Sequence, residues 1–192
     1  MISQMEIRRK TVHILSGIIL VILLEYNIIT KYFLLWLLAF ALCFSIISLK
    51  LKVPLATWIL HKFDRKDAAF PALGAITFLI GFVLVLYLFP RDIAYASMLI
   101  MAFGDGFATL IGKTGKIRTI FNKKKTLEGT VAGTIAAFVG ASLIIPMQQA
   151  VFASAFAMFV ELIGFKVGKI VDDNITVTLA AAVGIYFVRI VL

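Results

Sequence analysis

Cysteine is almost missing from this chain. Cys43 stands alone in an apolar block, so neither a disulfide framework nor a thiolate metal site can be built. Charge is scarce as well, at 15% of residues against about 25% in soluble domains. Short alternating segments, the mark of a transmembrane barrel, are absent. So are internal repeats and low-complexity stretches. No small-residue cleavage site follows the first apolar run, which closes in Leu23-Leu24-Glu25-Tyr26. The basic start Arg8-Arg9-Lys10 therefore introduces a retained first span and not a removable signal peptide.

What is present is apolar residue in long blocks. The hydrophobic share is 62%, where soluble chains run at about 45–50%. Seven blocks stand out, at 11–29, 31–49, 69–89, 93–111, 128–146, 148–165 and 174–192. A bilayer-spanning helix needs roughly 20 apolar residues. The expectation is an all-α polytopic bundle of about seven transmembrane helices, a single integral membrane domain over residues 1–192. Its polar loops are 50–68, 112–127 and 166–173. Val53 to Phe63 has apolar residues at helical spacing, which suits a short interfacial helix or a basic loop anchored by Trp58.

The formal net charge of +9 does not imply nucleic-acid binding, because the positions of the charges account for it. With seven spans, every Lys and Arg except Lys31, Arg91 and Arg189 falls on one side. By the positive-inside rule that side is the cytosol, with the N-terminus inside and the C-terminus outside.

This orientation gathers the polar residues of the spans into one layer. His13, Asp105, Glu128, Glu161 and the run Asp172-Asp173-Asn174 all fall in the cytosolic third of the bundle. Carboxylates inside membrane spans are costly and usually functional. Hard oxygen ligands suit Mg²⁺ shared with nucleotide phosphates, and Lys123-Lys124-Lys125 nearby would neutralise phosphate oxygens. The helix opening at Glu128-Gly129 offers amide groups to an anion. Each feature has a structural counterpart: the lysines as a topology signal, Asp172-Asp173-Asn174 as a helix cap, Gly133 and Gly140 as packing positions. One decoy is excluded. Gly106 to Gly112-Lys113-Thr114 imitates a P-loop, but its glycines are one residue too far apart and an apolar helix precedes it where a strand is required.

Three stretches resemble the CTP-dependent polyprenol kinase family, which includes dolichol kinases, phytol kinases and yeast-type diacylglycerol kinases. Arg9-Lys10-Thr11-Val12-His13 is similar to an R-K-x-x-H opening. Gly104-Asp105 through Ala108 and Gly112, then Lys124-Lys125-Thr126-Leu127-Glu128-Gly129, is similar to G-D-x-x-A-x-x-x-G followed by K-K-[ST]-x-E-G. Glu161 and Asp172-Asp173-Asn174 resemble the closing E…D-D-N. One departure is that Gly112 and Gly115 are three apart, where members more often have four.

The resemblance implies transfer of the γ-phosphate of CTP to the hydroxyl of a membrane lipid alcohol, at a cytosol-facing site in the cytoplasmic membrane. It implies catalytic roles for Asp105, Asp173 and His13. It implies phosphate or nucleotide contacts from Arg9, Lys10, Gly112, Lys113, Lys124, Lys125, Thr126, Gly129 and Asn174. Mg²⁺ or a similar divalent cation would be held by Asp105, Glu128, Glu161 and Asp172. Which carboxylate takes the alcohol proton stays open. Membrane phosphatidate cytidylyltransferases, which also use CTP at a lysine- and aspartate-rich site, are the alternative. A small transporter fits less well, because the outer halves of the spans lack polar groups.

Overall fold

The computed structural model describes residues 3–51, 58, 60, 62–64, 69–164 and 172–191. These residues include seven helices: α1 Gln4–Glu25, α2 Lys31–Lys50, α3 Leu73–Leu88, α4 Arg91–Gly112, α5 Leu127–Ser142, α6 Met147–Ile163 and α7 Asp173–Val191. Among the described residues there is no strand, only one isolated antiparallel bridge between Arg118 and Thr126. The fold is all-helical, as expected. The segment 53–63 falls largely outside the described residues; at its edge the Lys62 ammonium lies over the Trp58 ring, 4.3 Å from the centroid.

Among the described residues, three helices are long and apolar enough to cross a membrane: α2, α4 and α7. Of the others, α3 and α5 are shorter than their sequence blocks for local reasons. Pro71 and the left-handed Ala72 (φ 60°) delay α3 until Leu73, so it is 16 residues long. The apolar block at 128–146 ends in a turn, and α5 stops at Ser142 after 16 residues. At 1.5 Å per residue such helices are about 24 Å long, short of a hydrocarbon core of about 30 Å.

Helix α4 is the axis of the bundle. Ile93, Ala94, Ala96, Met98, Ile100, Met101 and Ala102 are all fully buried, and α1, α3, α5, α6 and α7 pack around it. Its closest neighbour, α5, approaches through glycines. A Cβ on Gly133 would lie 2.7 Å from the Gly104 carbonyl oxygen and 2.8 Å from Ala108 Cβ. One on Gly129 would lie 2.6 Å from the Ala108 carbonyl oxygen. Without lipid–water contrast to drive helices together, such small-residue faces provide the close packing.

The end of the bundle that begins with Arg91 is tied by polar contacts at its rim. Arg189 pairs with Asp92, and Arg91 donates to the Leu24 and Glu25 carbonyls that close α1. The last-turn carbonyls of a helix have no intrahelical partners, so this guanidinium supplies them. The opposite end holds the buried charges.

Replacing Gly133 by alanine should lower stability by about 1–3 kcal/mol, because a backbone oxygen is in the way. Gly74→Ala, where nothing lies within 4 Å of the added Cβ, should be neutral or slightly stabilising. Thermal unfolding of the two variants in detergent measures the contrast.

Candidate active site

Three carboxylates from three helices meet at one point. Asp105 of α4, Glu161 of α6 and Asp173 of α7 each offer an oxygen, and these oxygens lie within 4.8 Å of one another. Asp105 and Glu161 are each only 4% exposed. Like charges this close and this buried cannot stand alone. Two lysines accompany them.

Lys10, from the first turns of α1, donates to Asp105 Oδ2 in a contact buried on both sides. His13, one turn further on, places Nε2 3.5 Å from the same oxygen and packs edge-on against Phe78. Lys125 enters from the connection between α4 and α5. Its ammonium is 2.6 Å from Glu161 Oε1, 3.0 Å from Asp173 Oδ2, and also donates to the Glu161 carbonyl. Burial works against its charge, but Glu161 and Asp173 outweigh that and hold Lys125 above the ordinary lysine range.

The connection that delivers Lys125 is a small hairpin. Thr119 N donates to the Lys125 carbonyl, and Leu127 N to the Ile117 carbonyl. Glu128 braces it: its carboxylate accepts from Lys116 N at 2.8 Å and Ile117 N at 3.1 Å. Thr126 caps α5 by accepting from Gly129 N, while its hydroxyl donates to the Gly112 carbonyl. Gly115 has no room for a side chain, since a Cβ there would meet Thr126 Oγ1 at 2.6 Å and Glu128 Oε2 at 2.9 Å. Gly164, at φ 71°, ends α6, and Asn122 of the hairpin packs against it.

The expected site residues thus separate into two groups. Lys10, His13, Asp105, Lys125, Glu161 and Asp173 converge. Glu128 does not join the cluster; its carboxylate is turned to the hairpin amides. Asp172 likewise lies outside the carboxylate trio and accepts from Asn174 N at 3.1 Å, as a cap does. Asn174 crosses to α3, donating to Gly74 O and Thr77 Oγ1, and so ties two helices together. Thr126, Gly112 and Gly129 form the α4–α5 junction. Arg9 and Lys113 both reach Glu6, at 3.1 and 3.3 Å, and the Lys124 side chain is exposed. Lys10 and Asp105 each stand in a motif of the sequence, but that the two pair with each other had no sequence signal.

The donor set fits a hard divalent cation. All three converging ligands are carboxylates, and Asp173 Oδ1 is buried without a hydrogen-bond partner, leaving lone pairs for one.

Neutralising Asp105 strands a buried ammonium. Asp105→Asn should therefore cost about 3–5 kcal/mol of stability, and adding Lys10→Met should recover part of it. A double-mutant cycle by thermal unfolding in detergent tests this; independent, additive effects would show that the two side chains are not coupled.

No protein-family model matches the chain, and no solved structure matches it. Two curated proteins are similar. An uncharacterised protein of Methanocaldococcus jannaschii is 29% identical over 179 residues, covering 88% of this chain and 87% of its own length. A protein of Triticum aestivum described as a probable chloroplastic phytol kinase is 28% identical over 198 residues, covering 92% of this chain and 65% of its own length. The chain thus spans just under two thirds of that plant relative. Its similarity to a phytol kinase is distant but extends over nearly all of the present sequence.

Proposed function

We propose that this chain is a membrane-embedded kinase that transfers the γ-phosphate of CTP to the hydroxyl of an isoprenoid-type lipid alcohol. The observation that carries this reading is the convergence of Asp105, Glu161 and Asp173 with Lys10 and Lys125. Oxygen ligands and movable ammonium groups at one point are what phosphoryl transfer requires, since its catalysis is mostly positioning and charge stabilisation. The similarity to a phytol kinase supports the alcohol as acceptor.

In this reading the trio holds Mg²⁺, which would supply charge neutralisation for the phosphates. Lys125 and Lys10 exchange part of their contact with the carboxylates for phosphate oxygens. The hydroxyl oxygen forms a bond to the γ-phosphorus, the bond to the β-phosphate oxygen breaks, and CDP leaves. The alcohol proton passes to a carboxylate of the cluster. The site faces the cytosol of the cytoplasmic membrane, because the basic loops lie at that end. Apolar helices α1 to α7 cross the bilayer, with the shorter ones placed where the charged cluster draws polar headgroups and water inward.

Purified protein with γ-labelled CTP, Mg²⁺ and phytol or a polyprenol should yield labelled lipid and CDP. Release of pyrophosphate with CMP left on the lipid would replace this reading by the cytidylyltransferase alternative. Topology has its own test. In a Cys43→Ala background, a cysteine replacing Lys116 should react with impermeant thiol reagents from the cytosolic side alone, and one replacing Gln148 from the other side alone.

A further inference from the structure

The hairpin between α4 and α5 has an outer tip that the site does not use. Ile120 is 96% exposed and Phe121 64%, and Ile117 beside them is also exposed. Lys116, Arg118, Lys123 and Lys124 surround them, all exposed. The tip is well formed: Lys125 N donates to the Asn122 carbonyl, the Thr119 hydroxyl donates to the same oxygen, and Lys124 N donates to Asn122 Oδ1. Two adjacent large apolar side chains presented by an ordered turn and ringed by basic residues need a partner that is apolar inside and anionic at its surface.

Its position on the bundle says which partner. Phe121 does not extend away from the helices. Its ring lies 6.3 Å from that of Phe159, nearly perpendicular to it. Phe159 is half exposed on the outer face of α6, four residues before that helix ends at Ile163. Four residues of helix rise about 6 Å. The tip is therefore folded down beside α6, to a depth of about one helical turn below the bundle's charged end. In a chain whose helix α4 crosses the bilayer, that depth is the boundary between headgroups and acyl chains.

We infer that Ile120 and Phe121 insert into the membrane leaflet bordering the carboxylate cluster, with Arg118, Lys123 and Lys124 seated among anionic headgroups. The hairpin is then an interfacial anchor as well as the carrier of Lys125. Its apolar tip enters the acyl region and its cations meet lipid phosphates, the division of labour of interfacial amphipathic segments. Lys125 follows four residues after Phe121 and is bonded to the tip through Asn122, so seating the tip also fixes the ammonium that neutralises Glu161 and Asp173. The inference rests on the membrane placement of α4 and α6, not on the phosphotransfer reading, and its test needs no nucleotide.

The full chain carrying Cys43→Ala and Ile120→Cys, labelled with an environment-sensitive fluorophore, is placed in nanodiscs with and without anionic phospholipid. Position 120 touches so little of the protein that labelling should leave the fold intact; a thermal melt matching that of Cys43→Ala checks this. The expected result is blue-shifted emission, quenched by lipids carrying a nitroxide near the headgroup, and more strongly so with anionic lipid present. Removing one flanking charge, by Arg118→Gln or Lys123→Gln, should shift the ratio of quenched to unquenched label by about fivefold in anionic nanodiscs. Water-like emission without lipid quenching in both nanodiscs would overturn the inference. So would blue-shifted emission that nitroxide lipids fail to quench, which would assign the tip to a contact between copies of the chain. Quenching indifferent to anionic lipid would overturn the part given to the basic residues.

Discussion

The buried ionic cluster sets the terms for the rest of the bundle. Asp105, Glu161 and Asp173 come from three different helices, yet their oxygens approach within 4.8 Å. Three carboxylates cannot be brought so close at low dielectric unless positive charge arrives with them. Lys10 arrives on α1 and Lys125 on the hairpin, so five separate elements must be in register before any of these charges is compensated. A cluster of this kind contributes little net stability, because desolvation offsets most of the attraction. Its absence, or its half-formation, is expensive. That asymmetry selects one arrangement of the helices over others with equally good apolar packing.

Close packing of α4 and α5 makes the cluster reachable. The hairpin joining them leaves at Gly112 and returns at Leu127, and these ends must nearly touch for Lys125 to point inward. Gly129 against the Ala108 carbonyl, and Thr126 bonded to both Gly112 O and Gly129 N, bring them together. Glu128 then holds the strand-like arm at 116–117 through two backbone amides. Gly112, Thr126, Glu128 and Gly129 of the motif together build the scaffold that aims Lys125.

Why the sequence announces some of these roles and conceals others follows from the physics. Asp105 and Glu161 lie within apolar runs, where solvation cannot explain a charge, so their need for partners is visible from sequence alone. Helix positions are legible for the same reason, since apolar runs bounded by Pro90 and Pro146 leave few alternatives. Glu128, Asp172 and Asn174 sit at helix starts, where an oxygen that caps an amide and an oxygen that binds a metal use the same residue types. Only side-chain direction separates them, and direction is a tertiary property. The Lys10–Asp105 contact spans 95 positions in sequence and depends on how α1 packs on α4. The early stop of α5 and the late start of α3 depend on local turn conformations that hydropathy does not register.

Depth relates the site to the proposed substrates. Asp105 is seven residues from Gly112, which places it about 10 Å below the end of α4 along the helix axis. Glu161 is two residues from the end of α6, and Asp173 begins α7. The cluster therefore slopes from the helix ends into the bundle. A nucleotide is confined to water, and a lipid hydroxyl stays at the headgroup boundary. The two can meet only where polar protein groups extend below that boundary without exposing charge to hydrocarbon. Lys125 satisfies this condition by reaching in from the hairpin, and Lys10 satisfies it from the first turns of α1. Each ammonium carries the polarity of the aqueous side to carboxylates lodged deeper in the bundle. The proposed reaction, between a membrane-bound acceptor and a soluble phosphate donor, would require this graded descent of charge.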